Sequence, residues 1–302
     1  MNLSDPIFTD ETAARTYFET IRWPNGPECP HCGETTRVYR LTGESHRAGL
    51  IFCNACQGSF TVTTGGVMES SHVPLTKWAL AFRLFAASKK GVSAAQLGRM
   101  LGVTYKTAWF MAHRVREAMA PDGGELGGVG KVVEADEHFT GRKPGVAVRK
   151  GGQGHKMAVV SLVQRDGAAR SFHIDRMNRG TVSGLVKRNV ASESRLHTDE
   201  STLYGEVGGN VRQHETVNHT RKEYARGDVT TNTVEGYFSV FERGMIGTYQ
   251  HVSERHLQRY LNEFDFRQST RARLGYDDDA RTEKMVAGAE GRRLMYRAVV
   301  KA

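Results

Sequence analysis

Four cysteines form the clearest chemical pattern in the sequence. They fall into two Cys-x2-Cys pairs, Cys29/Cys32 and Cys53/Cys56, with a spacer of 20 residues between the pairs. Each pair can present two thiolates to one tetrahedral ion, and the second pair closes a loop that is otherwise too small to fold. Because all four ligands would be protein thiolates, no position is left open for chemistry. The spacing therefore predicts a structural Zn²⁺ site rather than a catalytic one.

Three acidic residues lie where carboxylates could hold divalent cations. Asp136 is within a predicted strand, Asp199 follows a short predicted strand, and Glu235 lies in the first turn of a predicted helix. Two hard cations bridged by such carboxylates could activate a water or a 3′-hydroxyl on one side of a phosphodiester and stabilise the leaving oxygen on the other. Position alone favours a solvated edge or a salt bridge for each of them. Glu137 and Glu134 are further, weaker ligand candidates.

A basic helical segment precedes these carboxylates. The chain carries a net charge of +9, and residues 71–121 contain eight Lys/Arg against one Asp/Glu. Within this segment, residues 93–116 have the form of a helix-turn-helix, with Ala94, Leu97 and Met100 buried and a turn at Gly102. Ser93 and Thr104 are the predicted N-caps of its two helices. We expect the second helix to contact double-stranded DNA, while a plain helical linker bundle remains the alternative. The candidate DNA contacts are Tyr105, Lys106, Thr107 and Arg114.

The elements that must position the carboxylates follow a glycine-rich boundary at 121–128. Beyond it the pattern β-β-β-α-β-α-β-α-α predicts an α/β domain with a mixed sheet. Four segments are expected: an N-terminal helix and zinc ribbon at 1–70, the helix-turn-helix at 71–121, the catalytic domain at 129–270 and a C-terminal extension at 271–302. His197 would share the strand face of Asp199, and we interpret it as a structural histidine.

Several of these motifs occur together in a known group of proteins. The segments 22–33, 71–75, 102–114, 231–239 and 247–253 resemble the zinc-ribbon insertion-sequence transposases of bacteria, the ISXO-like branch of the DDE superfamily. The resemblance covers about residues 10–270. It implies a ribonuclease-H-like catalytic domain whose acidic triad falls on Asp136, Asp199 and Glu235, with Mg²⁺ or Mn²⁺ as the catalytic cation.

Two further residues are singled out by the same resemblance. Asn232 belongs to an Asn-x-x-Glu signature with Glu235, and it is an alternative third ligand or a partner of one. Relatives usually carry Lys-Arg two helical turns after that Glu, whereas this sequence has Glu242 followed by Arg243. The role of holding a DNA phosphate would then fall on Arg243 alone.

The expected function is a DNA transposase that nicks transposon ends and joins the freed 3′-hydroxyl to target DNA. Its partners would be the transposon ends and the target DNA, on which it would assemble as a homodimer or a larger oligomer. No membrane-spanning segment or signal peptide is recognisable, so a cytoplasmic, nucleoid-associated location is expected. Two alternatives remain: a DNA-binding regulator that uses only the ribbon and the helix-turn-helix, and a metal-dependent nuclease that cuts without joining.

Overall fold

The structure is a computed structural model that describes residues 2–295. Packing divides the described chain into two units. Of the described residues, the first contains 2–88, 92–119 and 276–295, and the second contains 89–91 and 120–275. The predicted segment 1–70 and most of the segment 71–121 therefore pack into one unit, together with most of the predicted C-terminal extension.

A small antiparallel sheet carries the cysteines of the first unit. Helix α1, Glu11–Arg22, precedes it, and its strands in the order β1-β2-β3 are Val38–Arg40, Ile51–Cys53 and Gly58–Phe60. The outer strands overlap the two short β-rich pieces that the sequence predicts at 37–41 and 59–63, whereas the sequence predicts no strand at β2. Cys53 is the last residue of β2, so the central strand delivers the second cysteine pair directly to the site of the first.

Three helices of the first unit contain the predicted helix-turn-helix. They are α2 at Leu75–Ala87, α3 at Ala94–Leu101 and α4 at Tyr105–Ala118. Both predicted N-caps are confirmed, since Ser93 accepts from the Gln96 N–H and Thr104 from the Thr107 N–H. Gly102 ends α3 in the left-handed region at φ +60°. The expectation that Met100 is buried is wrong: its side chain is 49% exposed, and Leu101 packs inward instead.

A final helix, α8 at Asp278–Ala287, packs against α1 and α2 within the first unit. Arg83 of α2 pairs with Asp279 at 2.5 Å, and Arg22 of α1 pairs with Glu290 at 3.2 Å just beyond α8. The predicted segment 271–302 thus contributes a helix to the unit that holds the zinc ribbon. Residues 296–302 lie outside the described residues.

The second unit is built on a five-stranded mixed sheet in the order β6-β5-β4-β7-β8. Strands β4, β5 and β6 are antiparallel neighbours, whereas β7 and β8 run parallel to β4. This topology confirms the predicted α/β, ribonuclease-H-like fold class, but the helix predicted between the fourth and fifth strands is wrong, because residues 199–212 form only two short 3-10 helices. The strands are Val132–Thr140, Met157–Gln164, Ala169–Ile174, Arg195–Thr198 and Gln213–Thr216, and the helices α5 to α7 are Arg179–Asn189, Asn232–Gly244 and Glu254–Ser269.

Alternation along the strands separates two cores, one on each face of this sheet. Val133 and Ala135 of β4 face the core formed with α5, whereas Val159 and Val163 of β5 face the core formed with α6 and α7. The even-numbered residues of β4, among them Asp136, consequently lie on the side of α6. This arrangement determines which helix can contribute to a site at β4.

Candidate active site

The register between β4 and β7 brings two distant aspartates together. The parallel pairing ends at Glu134 opposite His197, and extending it by two residues places Asp136 opposite Asp199. Strand β7 ends at Thr198, and the chain turns away from the sheet at Asp199. The C-terminal half of β4 therefore has no neighbouring strand on the side where β7 pairs with its N-terminal half. The two carboxylates therefore meet at a notch in the sheet edge, although 63 positions separate them in sequence.

A third carboxylate joins them at this notch. Oxygens of Asp136, Glu137 and Asp199 lie within 4.8 Å of one another. Ser201 ties two of the three in place, because its hydroxyl donates to Glu137 Oε1 at 2.9 Å and its N–H donates to Asp199 Oδ1 at 3.0 Å. Glu137 was only a weaker ligand candidate in the sequence, since strand alternation points it away from Asp136. We call these three residues the carboxylate cluster.

The carboxylate cluster is electrostatically strained. Burial, together with the neighbouring charges of Glu137 and Asp199, raises the pKa of Asp136 to about 8. Burial also raises the pKa values of Glu137 and Asp199. Glu137 Oε2 is shielded from solvent, and the Tyr204 hydroxyl lies close enough to lower the pKa of Glu137. Crowded, half-buried carboxylates are a donor set that suits a hard divalent cation.

Glu235 does not belong to the carboxylate cluster, but it lies close enough for its charge to act on Asp136. Its side chain is 46% exposed, lies 3.6 Å from His219 Nε2 and accepts from the Thr231 hydroxyl at 2.6 Å. Its charge is among those that raise the pKa of Asp136. The first turn of α6 thus presents Glu235 toward the carboxylate cluster without adding an oxygen to it in this structure.

Glu134 has a different function from its neighbours on β4. It is fully buried and accepts from the N–H groups of Thr233 and Val234 at 2.7 and 3.1 Å. Helix α6 lacks a side-chain cap of its own, so Glu134 caps it from the sheet. Arg165 pairs with Glu134 at 2.7 Å and balances its charge. Glu134 therefore holds the helix that carries Glu235, and it is not part of the carboxylate cluster.

Asn232 and Arg243 occupy opposite ends of α6. Asn232 is exposed and lines a cavity with three arginines, and the lining of that cavity includes no member of the carboxylate cluster. Arg243 is exposed two turns beyond Glu235 and donates to Ser239 at 2.5 Å. Because Glu235, Ser239 and Arg243 are spaced by four residues, they share one face of the helix.

The unusual Glu242 has a specific partner. His138 Nε2 lies 2.6 Å from Glu242 Oε1, and the His138 ring stacks on Phe238 at 4.9 Å between centroids. The bond to His138 lowers the pKa of Glu242. Since His138 lies two residues from Asp136 on the same strand face, Glu242 links α6 to β4 beside the carboxylate cluster.

His197 is fully buried beneath the sheet edge. Its ring lies 3.3 Å from the Arg165 guanidinium and 3.4 Å from Glu215. Burial lowers its pKa, and the charges of Arg165 and Arg195 lower it further. A neutral, enclosed imidazole among ion pairs agrees with the structural interpretation of this residue.

The four cysteines of the first unit converge on one point. Cys29, Cys32, Cys53 and Cys56 offer sulfur atoms within 4.8 Å of one another. The Sγ atoms are 3.7 Å apart between Cys29 and Cys56 and 3.6 Å apart between Cys32 and Cys53. These distances exceed a disulfide bond of about 2.05 Å. They match the edge of about 3.8 Å in a tetrahedron with Zn–S bonds of about 2.3 Å.

A third group of possible ligands was not found from the sequence. His173, Asp175 and Glu254 bring ligand atoms within 4.8 Å of one another in the second unit. Glu254 Oε1 already lies 3.3 Å from Lys143 Nζ and 3.4 Å from His173 Nε2. Because a lysine supplies the positive charge there, we interpret the group as an ion-pair cluster.

The candidate DNA contacts of α4 differ in exposure. Tyr105 and Lys106 are exposed at the start of the helix, and Thr107 is half-buried with its hydroxyl 2.9 Å from that of Thr104. Arg114 is only 8% exposed, and its guanidinium lies over the Phe110 ring at 4.6 Å. Arg114 therefore does not share the exposed surface of Tyr105 and Lys106 in this structure. DNA contact by these four residues stays a prediction.

Comparison with known proteins gives one family match in each unit. Residues 9–59 match the transposase zinc-ribbon domain, and residues 125–269 match the ISXO2-like transposase domain. Over 292 residues the chain is 28% identical to an uncharacterised protein in transposable element ISH50 of Halobacterium salinarum, an alignment that covers 86% of this chain and 91% of that protein.

The chain also aligns, at a much lower level of similarity, with chains of known structure. A chain of the cryo-EM structure of a simian T-cell lymphotropic virus intasome in complex with PP2A regulatory subunit B56 gamma aligns with a TM-score of 0.29 and 11% identity. The alignment covers 56% of this chain and 63% of that chain. Separately, each helix among the described residues is too short or too polar to cross a membrane.

Proposed function

Because the chain belongs to the zinc-ribbon insertion-sequence transposases of the ISXO-like branch, we propose that it nicks transposon ends and joins the freed 3′-hydroxyl to target DNA with two metal ions. The observation that carries the proposal is the carboxylate cluster. It gathers three acidic side chains in a notch of the ribonuclease-H-like sheet, next to the helix turn that bears Glu235. Without cations, the three ionised carboxylates repel one another, and bound divalent cations would relieve that repulsion.

The acidic residues at the notch would have different roles in metal binding. Asp136 and Asp199 would hold Mg²⁺ or Mn²⁺ from the sheet, and Glu235 would complete the site from α6 by giving up its bond with Thr231. Bound at such a site, two divalent cations activate the attacking oxygen and stabilise the leaving oxygen of a phosphodiester. Glu137 adds negative charge and, through Ser201, keeps Asp199 oriented.

The face of α6 beyond Glu235 would hold the DNA strand. Arg243 lies on that face and can donate two parallel hydrogen bonds to a phosphate. The Glu242 carboxylate is turned toward His138, so it does not compete with phosphate for Arg243. The replacement of the usual lysine by Glu242 is therefore compatible with a DNA-cleaving site.

The first unit would recognise DNA. The four thiolates would hold a structural Zn²⁺, as their tetrahedral spacing supports, and the ion would fix the ribbon that packs with the helix-turn-helix. Tyr105, Lys106 and Thr107 would contact base edges and phosphates from the start of α4, with Arg114 as a further candidate. Cutting and joining two transposon ends would require at least a homodimer assembled on DNA.

Two alternatives make different demands on the carboxylate cluster. A DNA-binding regulator gains nothing from three crowded carboxylates, whose mutual repulsion destabilises the fold. A metal-dependent nuclease needs the cluster but never joins strands. The distinction between nuclease and transposase therefore depends on the second reaction step and not on the site.

A strand-joining assay tests the proposal. Linear DNA carrying the inverted repeats that flank the gene is incubated with the protein and Mg²⁺, and nicked and joined products are separated on a gel. We expect both products with the wild type and neither with Asp136→Asn, while Glu193→Gln, an exposed carboxylate away from the notch, behaves as wild type. Nicking without joining would favour the nuclease, and DNA binding without either reaction would favour the regulator.

A further inference from the structure

A surface cavity of about 310 Å³ opens beside the N-terminal end of α6. Its walls come from the first two turns of α6, the turn after β5, and the end of α7 with the segment that follows. The residues that matter for its chemistry are Arg165, Asp166, Asn232, Gln268, Arg271 and Arg273. All belong to the second unit.

This cavity is distinct from the carboxylate cluster. Asn232, Thr233, Gly236 and Tyr237 line it, and at about 100° per residue their mean direction lies about 130° around the helix from Glu235. Helix α6 therefore presents one face to the notch that holds the cluster and another to the cavity. The Asn-x-x-Glu signature spans both faces.

Two of the three cavity arginines form ion pairs, and Asp166 acts on the third, Arg271, only at a distance. Arg165 is balanced by Glu134, which lies behind the cavity wall, and Arg273 pairs at the exposed rim with Asp166. Arg271 Nε is shielded from solvent and has no hydrogen-bond partner among the described residues. A guanidinium N–H that has lost water without gaining an acceptor is costly to bury, and an anion with several oxygens would satisfy it.

We propose that this cavity binds a phosphate of the DNA backbone, with Arg271 as the central donor and Asn232 and Gln268 as hydrogen-bonding partners. The inference rests on the proposed function, because it assumes that DNA lies at the neighbouring notch. The planar guanidinium fork matches the geometry of phosphate oxygens, and amide side chains add directed N–H donors. The volume accommodates a phosphate with its sugar but not a duplex.

The position of the cavity supports a backbone phosphate over a free one. A helix with its side chains is about 10–12 Å across, which corresponds to about three nucleotides of duplex DNA at an axial rise of about 3.4 Å each. A strand whose scissile phosphate lies at the carboxylate cluster can therefore reach around α6 to the cavity. The Asn of the Asn-x-x-Glu signature then positions the strand, while the Glu serves the cations.

The test measures DNA binding without divalent cations, in EDTA, so that catalysis plays no part. Binding of a duplex that carries the flanking inverted repeat is followed against salt concentration for wild type, Arg271→Gln and the charge-matched control Arg176→Gln, an exposed arginine elsewhere in the second unit. We expect Arg271→Gln to weaken binding about tenfold and to flatten the salt dependence by about one unit of slope. Arg271→Lys should recover the slope and only part of the affinity.

Replacing single phosphates of the duplex by uncharged methylphosphonates locates the contact. One position near the nicked bond should weaken wild-type binding but not further weaken Arg271→Gln or Asn232→Ala. Equal behaviour of Arg271→Gln and Arg176→Gln would overturn the proposal, and so would inorganic phosphate competing with the duplex at millimolar concentration, which would indicate a free-phosphate site. If the arginine effect is found in a protein that never nicks DNA, the cavity assignment holds and only the catalytic proposal fails.

Discussion

The two candidate metal centres of this chain are built in opposite ways. The cysteine cluster uses four identical ligands from two short turns and a three-stranded sheet, and every ligand is directed at one point. The carboxylate cluster is gathered from a strand and the end of another, with a further carboxylate held back on a helix by Thr231. Four protein thiolates fill every coordination position of the metal, so such a site stabilises the fold. A site with fewer protein ligands keeps coordination positions open for a substrate.

Loss of a cysteine ligand should have the largest effect. Structural zinc contributes on the order of 10 kcal/mol to the folding of small ribbon domains. We therefore expect Cys53→Ser to lose the metal and to unfold the ribbon, as measured by zinc content and by proteolysis of the first ninety or so residues. Glu193→Gln is the control. A Cys53→Ser protein with full zinc content and an intact ribbon would contradict the closed-centre description.

Loss of Glu134 should destabilise the second unit without removing a ligand. Glu134→Gln leaves Arg165 without its charge partner and weakens the cap of α6. Because Arg165 is partly exposed, the expected loss is about 2–3 kcal/mol in the free energy of unfolding by urea. Affinity for Mn²⁺ at temperatures where the protein is folded should change less than for Asp136→Asn. Unchanged stability with lost metal binding would make Glu134 a ligand instead.

Asp265 should make the stability of the second unit depend on pH. Burial raises its pKa to about 6, although Ser171 and Tyr237 donate hydrogen bonds to it and oppose the shift. Between about pH 4 and pH 6 the folded state binds a proton that the unfolded state does not, so the free energy of unfolding falls as the pH rises, by at most about 3 kcal/mol.

The variant Asp265→Asn removes that titration. Its stability relative to wild type should therefore increase as the pH rises from 4 to 7, which urea unfolding at several pH values measures. Asp279→Asn, at an ion pair in the first unit, should not reproduce this pattern. A constant difference between Asp265→Asn and wild type across that range would show that Asp265 is ionised throughout.

The smallest expected effect lies away from both centres. Lys106→Ala removes one charge from the start of α4 and should flatten the salt dependence of DNA binding by about one unit of slope. Zinc content and Mn²⁺ affinity should not change. Binding of end DNA with unaltered affinity and slope would mean that another surface of the first unit meets the DNA.

The sequence predicted what depends on local pattern. The helix caps Ser93 and Thr104, the mixed sheet and the cysteine pairs follow from residue types at short spacing, and the structure contains all of them. The failure at Met100 is of the same local kind: an error of one position moves a side chain about 100° around a helix and exposes it.

The remaining features depend on contacts between distant segments. Glu137 joins Asp199 through Ser201, Glu134 caps a helix about a hundred residues away, and Asn232 faces arginines rather than carboxylates. Alternation along β4 could not separate a ligand from a cap, because Glu134 and Asp136 share a face. The pairing of β4 with β7 and the placement of α6 decide these roles.

The central claim is that the carboxylate cluster binds divalent cations for catalysis, and direct titration with Mn²⁺ tests it best. In the zinc-loaded, full-length protein, calorimetry should show that Mn²⁺ affinity falls at least about 100-fold in Asp136→Asn and in Asp199→Asn. Loss of a residue that only hydrogen-bonds to a metal ligand already lowers metal affinity by about 10–100-fold, so loss of a ligand should cost at least as much. It should weaken measurably in Glu235→Gln but not in Glu193→Gln. If Asp136→Asn binds Mn²⁺ as tightly as the wild type, the cluster is not the metal site and the proposed chemistry is wrong.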